Sequence, residues 1–580
     1  MGRLRNTKLT ARRALAWCVI SLASASSASL LFKPSTAAEL AGLIAPADRV
    51  IRTDPSVPVS GALLLCGGGK LPERVYEEFH KLAGGAEGRL VVITTASMYA
   101  GTSREESYLV DRWRRQGWKS VEVLHTRDRA AASAPAFSQR LREATAVWMV
   151  GGEQQRLFDA YADTPVHDEL HDVLARGGII GGTSAGMALA GEHAIYGGAV
   201  TPQIGEGFGF VSNVIFDQHF SERRRETRLA SAVAARPGSV GFGVDESTGL
   251  LIRGRELLVV GDGNVHVQLG KSSRVDRPIR LREFMRDDLV ALSRAAIARA
   301  EGFMPAVKPQ VPRVEKGSLL IVGGGRMAPA IQKKFLELAG GLEAKFVVVP
   351  TAADARRDDD EETAWLKKVG AKNVSVVHAE SRDEAESSAL LEILKTADAV
   401  WFGGGRQWRF VDAYEGTACF EAFHEVLRRG GVIGGSSAGA TIQGEYLVRG
   451  SPLGNTIMMA EGYERGFGFL PGTAVDQHFT QRGRAPDMQL LKRTFPQLLG
   501  LGIDEATAVV VRGSELEVVG ENQVSVYKPL PEMIASADAN DSSETDADAT
   551  TFEPDVLKPG ERYDLERFAR FTPISTASAE

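Results

Sequence analysis

Two serines, Ser184 and Ser437, sit in pentapeptides of one design, Gly182-Thr183-Ser184-Ala185-Gly186 and Gly435-Ser436-Ser437-Ala438-Gly439. Apolar residues lead into each, Ile179-Ile180 and Val432-Ile433, as a buried strand would. Gly-x-Ser-x-Gly after a strand is the pattern of a nucleophile elbow, a sharp turn that lifts a hydroxyl above the edge of a sheet. Glycines suit it because they accept positive φ and let the next helix pack close. One such pentapeptide of common residues is as often a plain turn. Two in parallel contexts predict nucleophilic chemistry.

A serine hydroxyl is a weak nucleophile until a base takes its proton and a third group orients the base. The expected bases are His219, in Asp217-Gln218-His219-Phe220, and His478, in Asp476-Gln477-His478-Phe479. A single histidine ending an apolar run is more often structural, and its return in the same tetrapeptide reverses that reading. Asp245-Glu246 and Asp504-Glu505 recur equally, so the pattern leaves aspartate and glutamate open as the orienting acid. The order Ser, His, acid disfavours an α/β-hydrolase, which places the acid between the other two. For the oxyanion, the expected backbone donors are Ala185 and Ala438, next after each serine, and one glycine of each triplet 67–69 and 323–325, taken as Gly68 and Gly324. Neither triplet has the spacing of a dinucleotide or P-loop turn.

These residues need a scaffold that brings distant segments to one rim. From residue 61, apolar stretches at 62–66, 90–95, 121–124 and 146–150 alternate with helical spacing at 71–82, 105–116 and 137–144. That alternation predicts a parallel sheet covered on both faces, with the ligand site beyond the carboxyl ends of the strands, where the glycine turns lie. The same order begins again at residue 318. The elbow serines are 437 − 184 = 253 positions apart, and the histidines 478 − 219 = 259. The repeat is therefore a whole domain with a small insertion between elbow and histidine.

Composition agrees with this reading. At 580 residues, 43% hydrophobic and 24% charged, the chain holds enough apolar surface for several cores. A net charge of −6 gives no footprint for a nucleic acid. Cys18, Cys66 and Cys419 make no disulfide framework and no zinc spacing, so neither a metal nor another cofactor is expected. Residues 1–38 have the basic, apolar and small-residue succession of a signal peptide, which predicts an exported, periplasmic or extracellular protein free of the membrane after cleavage. An uncleaved anchor is the alternative, since the apolar run approaches the ~20 residues that span a bilayer. The expected division is a signal peptide over 1–38, a linker over 39–59, a first domain over 60–268, a connector over 269–316 with a helix at 281–299, a second domain over 317–527, and an acidic, largely disordered tail over 528–580 with a short helix at 563–571.

Together these motifs carry a resemblance. The elbow, the upstream Gly151-Gly152-Glu153-Gln154, the run 217–228 and Gly243-Val244-Asp245-Glu246 are similar to the cyanophycinase branch of the serine peptidases that includes dipeptidase E. The likeness covers both repeats. It implies two tandem flavodoxin-like, class I glutamine amidotransferase-like α/β domains. It also implies Ser-His-Glu triads at Ser184, His219, Glu246 and at Ser437, His478, Glu505, which favours the glutamates. The substrate implied is a peptide or cyanophycin, a polyaspartate bearing arginine on its side-chain carboxyls. The residues implied to hold it are Gln154, Asp217, Gln218, Arg223, Arg225 and Arg228, and in the second copy Gln407, Asp476, Gln477, Arg482 and Arg484. Guanidinium forks suit carboxylates, and Asp217 or Glu153 would receive the substrate's own guanidinium. Because cyanophycinases are dimeric, the halves are expected to pack as an internal pseudo-dimer. The second copy departs at two places: Asp487 replaces the counterpart of Arg228, and Arg406 that of Glu153. Its specificity is therefore expected to have drifted. A dipeptidase E-like aspartyl dipeptidase and a binding protein with inactive triads are the competing readings.

Overall fold

Short apolar runs that would be costly to leave in water form the strands, and each half of the chain assembles them in the same order. A computed structural model describes residues 59–272, 279–302, 305, 308–353, 359–530 and 551–571. All fall within one compact unit, Thr53–Glu580. The expected signal peptide and nearly all of the linker lie outside the described residues.

In the first half, Val59–Cys66, Arg89–Ile93, Ser120–Leu124, Ala146–Met149 and Ile179–Thr183 run parallel. Numbered along the chain they stand in the order 3-2-4-5-1, which departs from the 2-1-3-4-5 of a flavodoxin-like sheet. The expected all-parallel sheet is also corrected. Thr248–Gly254 pairs antiparallel with Val59–Cys66, and Glu256–Gly261 and Arg286–Asp288 follow, giving a mixed sheet of eight strands. That hairpin covers the edge the first strand would otherwise leave open.

A second sheet of six strands carries Val211–Gln218 beside Val240–Val244, parallel and in register from Val214 with Val240 to Gln218 with Val244. The second half repeats both sheets, with nine and five strands.

The elbow strand Ile179–Thr183 lies between Val59–Cys66 and Ala146–Met149. Its Gly181 leaves room for Trp148, since a β-carbon there would stand 2.4 Å from the indole. Trp148 in turn meets Phe79 edge-on at 5.0 Å. Trp401 and Phe335 repeat the contact at 5.1 Å beneath Gly434. The strand before each elbow thus rests on a tightly packed pair of aromatic rings.

Two expectations outside the strands are corrected. The connector helix begins at Leu289 and ends at Glu301, because Asp288 caps it by accepting from the Ala291 N–H at 2.8 Å. The residues before it form the strands Ile279–Leu281 and Arg286–Asp288, which join the first half's sheets. In the tail, 563–571 is not a helix. Asp555–Leu557, Arg562–Asp564 and Ala569–Arg570 are strands that pair with the second half. Residues 531–550 lie outside the described residues.

The connector helix also joins the halves. Arg294 donates to the Gly462 carbonyl at 2.8 Å, pairs with Glu415 and lies 4.8 Å from the Tyr463 ring. Arg255 bridges Asp288 of its own half and Asp412 of the other. Arg465 of the second half returns the contact by pairing with Glu301 at the end of the connector helix. Removing one member of a buried pair leaves the other charge without compensation. Glu415 keeps some contact with water, so Arg294→Ala is expected to lower stability by about 1–3 kcal/mol, read as a shift in the urea unfolding curve.

Candidate active site

Ser184 follows the strand Ile179–Thr183 directly and has φ 52° and ψ −108°. Ser437 repeats this at φ 56° and ψ −112°. Non-glycine residues are rarely held there, and such strain persists where surrounding structure over-determines it. Here the reason is visible in the flanking glycines. A β-carbon on Gly182 would stand 2.6 Å from the Gly186 backbone, and one on Gly186 would stand 2.3 Å from the Met149 carbonyl oxygen. The helix that starts at Ala185 is packed so tightly behind the strand that no side chain fits between them.

The other elements meet the elbow through backbone hydrogen bonds. The Ser184 N–H donates to the Cys66 carbonyl at 2.9 Å, and the His219 N–H to the Gly67 carbonyl at 2.8 Å. Ser437 and His478 make the same bonds to Val322 and Gly323. The glycine triplets therefore tie nucleophile strand and histidine strand together.

Above this frame, Ser184 Oγ lies 2.9 Å from His219 Nε2, and His219 Nδ1 lies 2.6 Å from Glu246 Oε1. In the second half the distances are 3.0 Å from Ser437 Oγ to His478 Nε2 and 2.6 Å from Nδ1 to Glu505 Oε1. With Nδ1–H donating to the carboxylate, Nε2 is left to accept the serine proton. His219 and His478 are buried, and burial lowers their pKa values below 6.5. The glutamate hydrogen bond pulls the other way, and nearby Arg223 or Arg482 adds to the lowering.

The side chains of the adjacent aspartate and glutamate go different ways. Asp245 turns inward, accepting from the Ser221 N–H at 3.1 Å and the Asn264 N–H at 3.0 Å, with His266 Nε2 at 3.5 Å. Burial opposes its charge, but hydrogen bonds from His266, Ser221 and Asn264 prevail and hold its pKa below the usual carboxylate range. Asp504 likewise accepts from the Thr480 N–H at 3.0 Å. The glutamates are held from behind: the Glu246 N–H donates to Glu222 and the Glu505 N–H to Gln481.

The expected oxyanion groups stand at the same place. Ala185 starts the helix after the serine, and Gly68, with φ 115°, lies against the His219 ring. Ala438 and Gly324 occupy the same positions in the second half.

The residues expected to hold substrate divide into two groups. Arg223 and Arg482 are exposed and close enough to the histidines to affect their charge. Arg225 and Arg228, by contrast, are engaged with fully buried Asp217. Arg228 Nε donates to it at 2.9 Å, its Nη2 makes a second bond, and Arg225 Nη1 donates at 3.1 Å. Arg484 holds Asp476 at 2.9 Å in the same way. These groups act as the backing of the site. Gln154 and Gln407 donate to the Ile195 and Val448 carbonyls at 2.9 and 3.1 Å. Gln218 is buried and its Oε1 has no partner among the described residues, whereas Gln477 Oε1 accepts from Arg484 at 3.0 Å.

One residue escaped sequence reasoning. Arg449 is buried and binds Asp476 through Nε and Nη2, both at 2.9 Å. Its signal was indirect: the loss of an arginine at Asp487 leaves a buried carboxylate needing a cation from elsewhere.

Among the described residues, no group of three or more histidine, cysteine, aspartate or glutamate side chains could hold a metal ion. None of their helices is long and apolar enough to cross a membrane.

With this geometry in view, similarity to known proteins is informative. The model of peptidase family S51 matches residues 63–260 and 319–519. A cyanophycinase of Geminocystis herdmanii (strain PCC 6308) is 32% identical over 213 residues, 34% of this chain and 76% of that protein. A cyanophycinase of Nostoc sp. (strain PCC 7120) is 34% identical over 222 residues, 36% of this chain and 72% of that protein. Among solved structures, a peptidase from an acI-B1 Actinobacterium aligns at 24% identity and a TM-score of 0.33, over 44% of this chain and 98% of that one.

Proposed function

From the premise that the chain belongs to peptidase family S51 and is a serine-type peptidase, we propose that it carries two Ser-His-Glu sites, acting on cyanophycin or related aspartyl and β-aspartyl peptides. The observation that carries this reading is the unbroken chain of hydrogen bonds from hydroxyl to imidazole to carboxylate in both halves. Ser184 or Ser437 attacks the carbonyl while the histidine takes its proton, and the tetrahedral oxyanion is met by the N–H groups of Ala185 and Gly68, or of Ala438 and Gly324. The histidine returns the proton to the leaving amine. Water, activated by the same imidazole, then releases the acyl group.

The first site is the better match to a cyanophycin-type substrate. Exposed Glu153 and Arg223 offer an acid for a substrate guanidinium and a guanidinium for a substrate carboxylate, whereas the second site carries Arg406 in place of Glu153. Tandem duplication accounts for the repeat of sheets and motifs, and the succession of residues 1–38 supports export. The deciding experiment is incubation of the full chain with cyanophycin and identification of soluble products. β-Aspartyl-arginine is expected, and an untouched polymer together with cleaved α-aspartyl dipeptides would overturn the choice of substrate.

The imidazole works as a base only while neutral. A histidine pKa lowered from 6.5 keeps the base neutral further into acid, so kcat/KM is expected to decline on acidification through a midpoint below 6.5. Glu246→Gln removes an interaction that raises that pKa, so the midpoint of the first site is expected to move lower still while the rate drops. A midpoint above 6.5 in the parent would contradict this assignment.

A further inference from the structure

The two sites solve one problem with different residues. Asp217 and Asp476 each stand two positions before the histidine and are fully buried. A carboxylate so placed needs close cations, because an unpaired buried charge is strongly destabilising. In the first half the second cation is Arg228, on the helix Glu226–Ala235. In the second half the corresponding helix, Ala485–Thr494, offers Asp487 instead.

Arg449 fills the gap from another direction. It follows Val448, whose carbonyl accepts from Gln407, just as Tyr196 follows Ile195, whose carbonyl accepts from Gln154. Arg449 thus occupies the register of Tyr196, which in the first half donates its hydroxyl to the Glu206 carbonyl. From there its guanidinium forks onto Asp476, donates to Asp487 at 2.8 Å and reaches the Asn455 carbonyl at 3.1 Å. Its backbone is held at φ 58°, a conformation disfavoured for arginine and kept only where surrounding bonds require it.

The three positions are chemically interlocked. Tyrosine in place of Arg449 would leave Asp487 beside Asp476 with a single guanidinium, Arg484, between them. Arginine in place of Asp487 would set a third cation against Arg449 and Arg484. Only the paired change restores the first half's arrangement, two guanidiniums on one buried carboxylate. Asp476 is also tied to the catalytic strand end, since Arg484 Nη1 spans Asp476 and the Gln477 carbonyl at 2.9 and 2.6 Å. Movement of the carboxylate would therefore move His478.

We propose that Arg449 is the positioning residue of the second site, having taken over by relocation the task Arg228 performs in the first. This rests on the reading of Ser437 as a nucleophile. On this view the second site is rebuilt around a moved cation, and the charge reversal at Asp487 is half of a compensated pair.

The test uses the full chain carrying Ser184→Ala, so that only Ser437 is available to a fluorophosphonate probe. Arg449→Tyr and Asp487→Arg are each expected to lower the limiting labelling rate about tenfold or more, with half-saturating probe concentration little changed, because the imidazole is misplaced while the probe's binding surface is kept. The double variant Arg449→Tyr/Asp487→Arg is expected to return to within about threefold of its parent, as coupled residues do. Arg449→Lys keeps the charge but not the fork and is expected to fall between. Single variants or Arg449→Lys labelling at the parental rate would overturn the proposal. So would a double variant as slow as the single ones that unfolds in urea with its parent. Absence of label on Ser437 in the parent would instead overturn the nucleophile reading and remove the ground for the proposal.

Discussion

Ser184→Ala is expected to reduce the release of β-aspartyl-arginine from cyanophycin to whatever the second site supplies, whereas Ser437→Ala leaves most of it. Alanine removes the only atom that forms the acyl bond, and in serine peptidases such a loss lowers kcat by about 10⁶-fold. The imidazole and oxyanion donors that remain have nothing to activate. The asymmetry follows from a reversed charge at one expected binding position, Glu153 in the first copy and Arg406 in the second. Dipeptide release, followed by chromatography for both single variants and for Ser184→Ala/Ser437→Ala, reads this directly. Equal losses in the single variants would refute the ranking of sites, and undiminished release in the double variant would refute both nucleophiles.

What could be read from residues alone was whatever depends on short range and repetition. The elbow was legible because tight turns restrict residue types locally: Gly182 and Gly186 are required by contacts within five residues of each other and with Met149. The strands leading into it were legible because burial on both faces demands continuous apolar runs. The acid was not separable by pattern, since Asp245 and Glu246 are adjacent and the choice depends on which side chain turns toward His219 and which toward Asn264. The different settings of the arginines were out of reach for a related reason. A basic helix start looks the same whether its guanidiniums face solvent, like Arg223, or fold back onto a buried carboxylate, like Arg228. Strand order was out of reach too, because it depends on pairings between residues far apart, such as Leu65 with Gly182 and with Leu250. The tail strands pair with the second half at Leu516 and Ser525, and nothing near Tyr563 or Val556 records those partners.

The second large effect is expected from a single methyl group. A β-carbon on Gly68 would stand 2.2 Å from Cε1 of His219 and 2.7 Å from both ring nitrogens, well inside any contact a real methyl tolerates. Backbone cannot easily yield, because the Gly68 carbonyl accepts from the Ser247 N–H at 2.9 Å and Gly67 accepts from the His219 N–H at 2.8 Å. The ring must therefore move, and any direction away from Gly68 breaks its 2.9 Å contact with Ser184 or its 2.6 Å contact with Glu246. Gly68→Ala is expected to slow fluorophosphonate labelling of Ser184 by about 10²–10³-fold in a Ser437→Ala chain. Alanine keeps the backbone N–H, so the loss reports the displaced imidazole more than a lost oxyanion donor. Positive φ at this residue, 115°, adds a modest stability cost of about 1 kcal/mol, too little to unfold the domain and separable by urea denaturation. Gly270→Ala, where a methyl meets open space, is the control expected to leave labelling unchanged. Labelling of the Gly68→Ala chain within threefold of its parent would mean that the imidazole is free to shift without loss, and that the close fit of glycine to histidine is incidental to the chemistry.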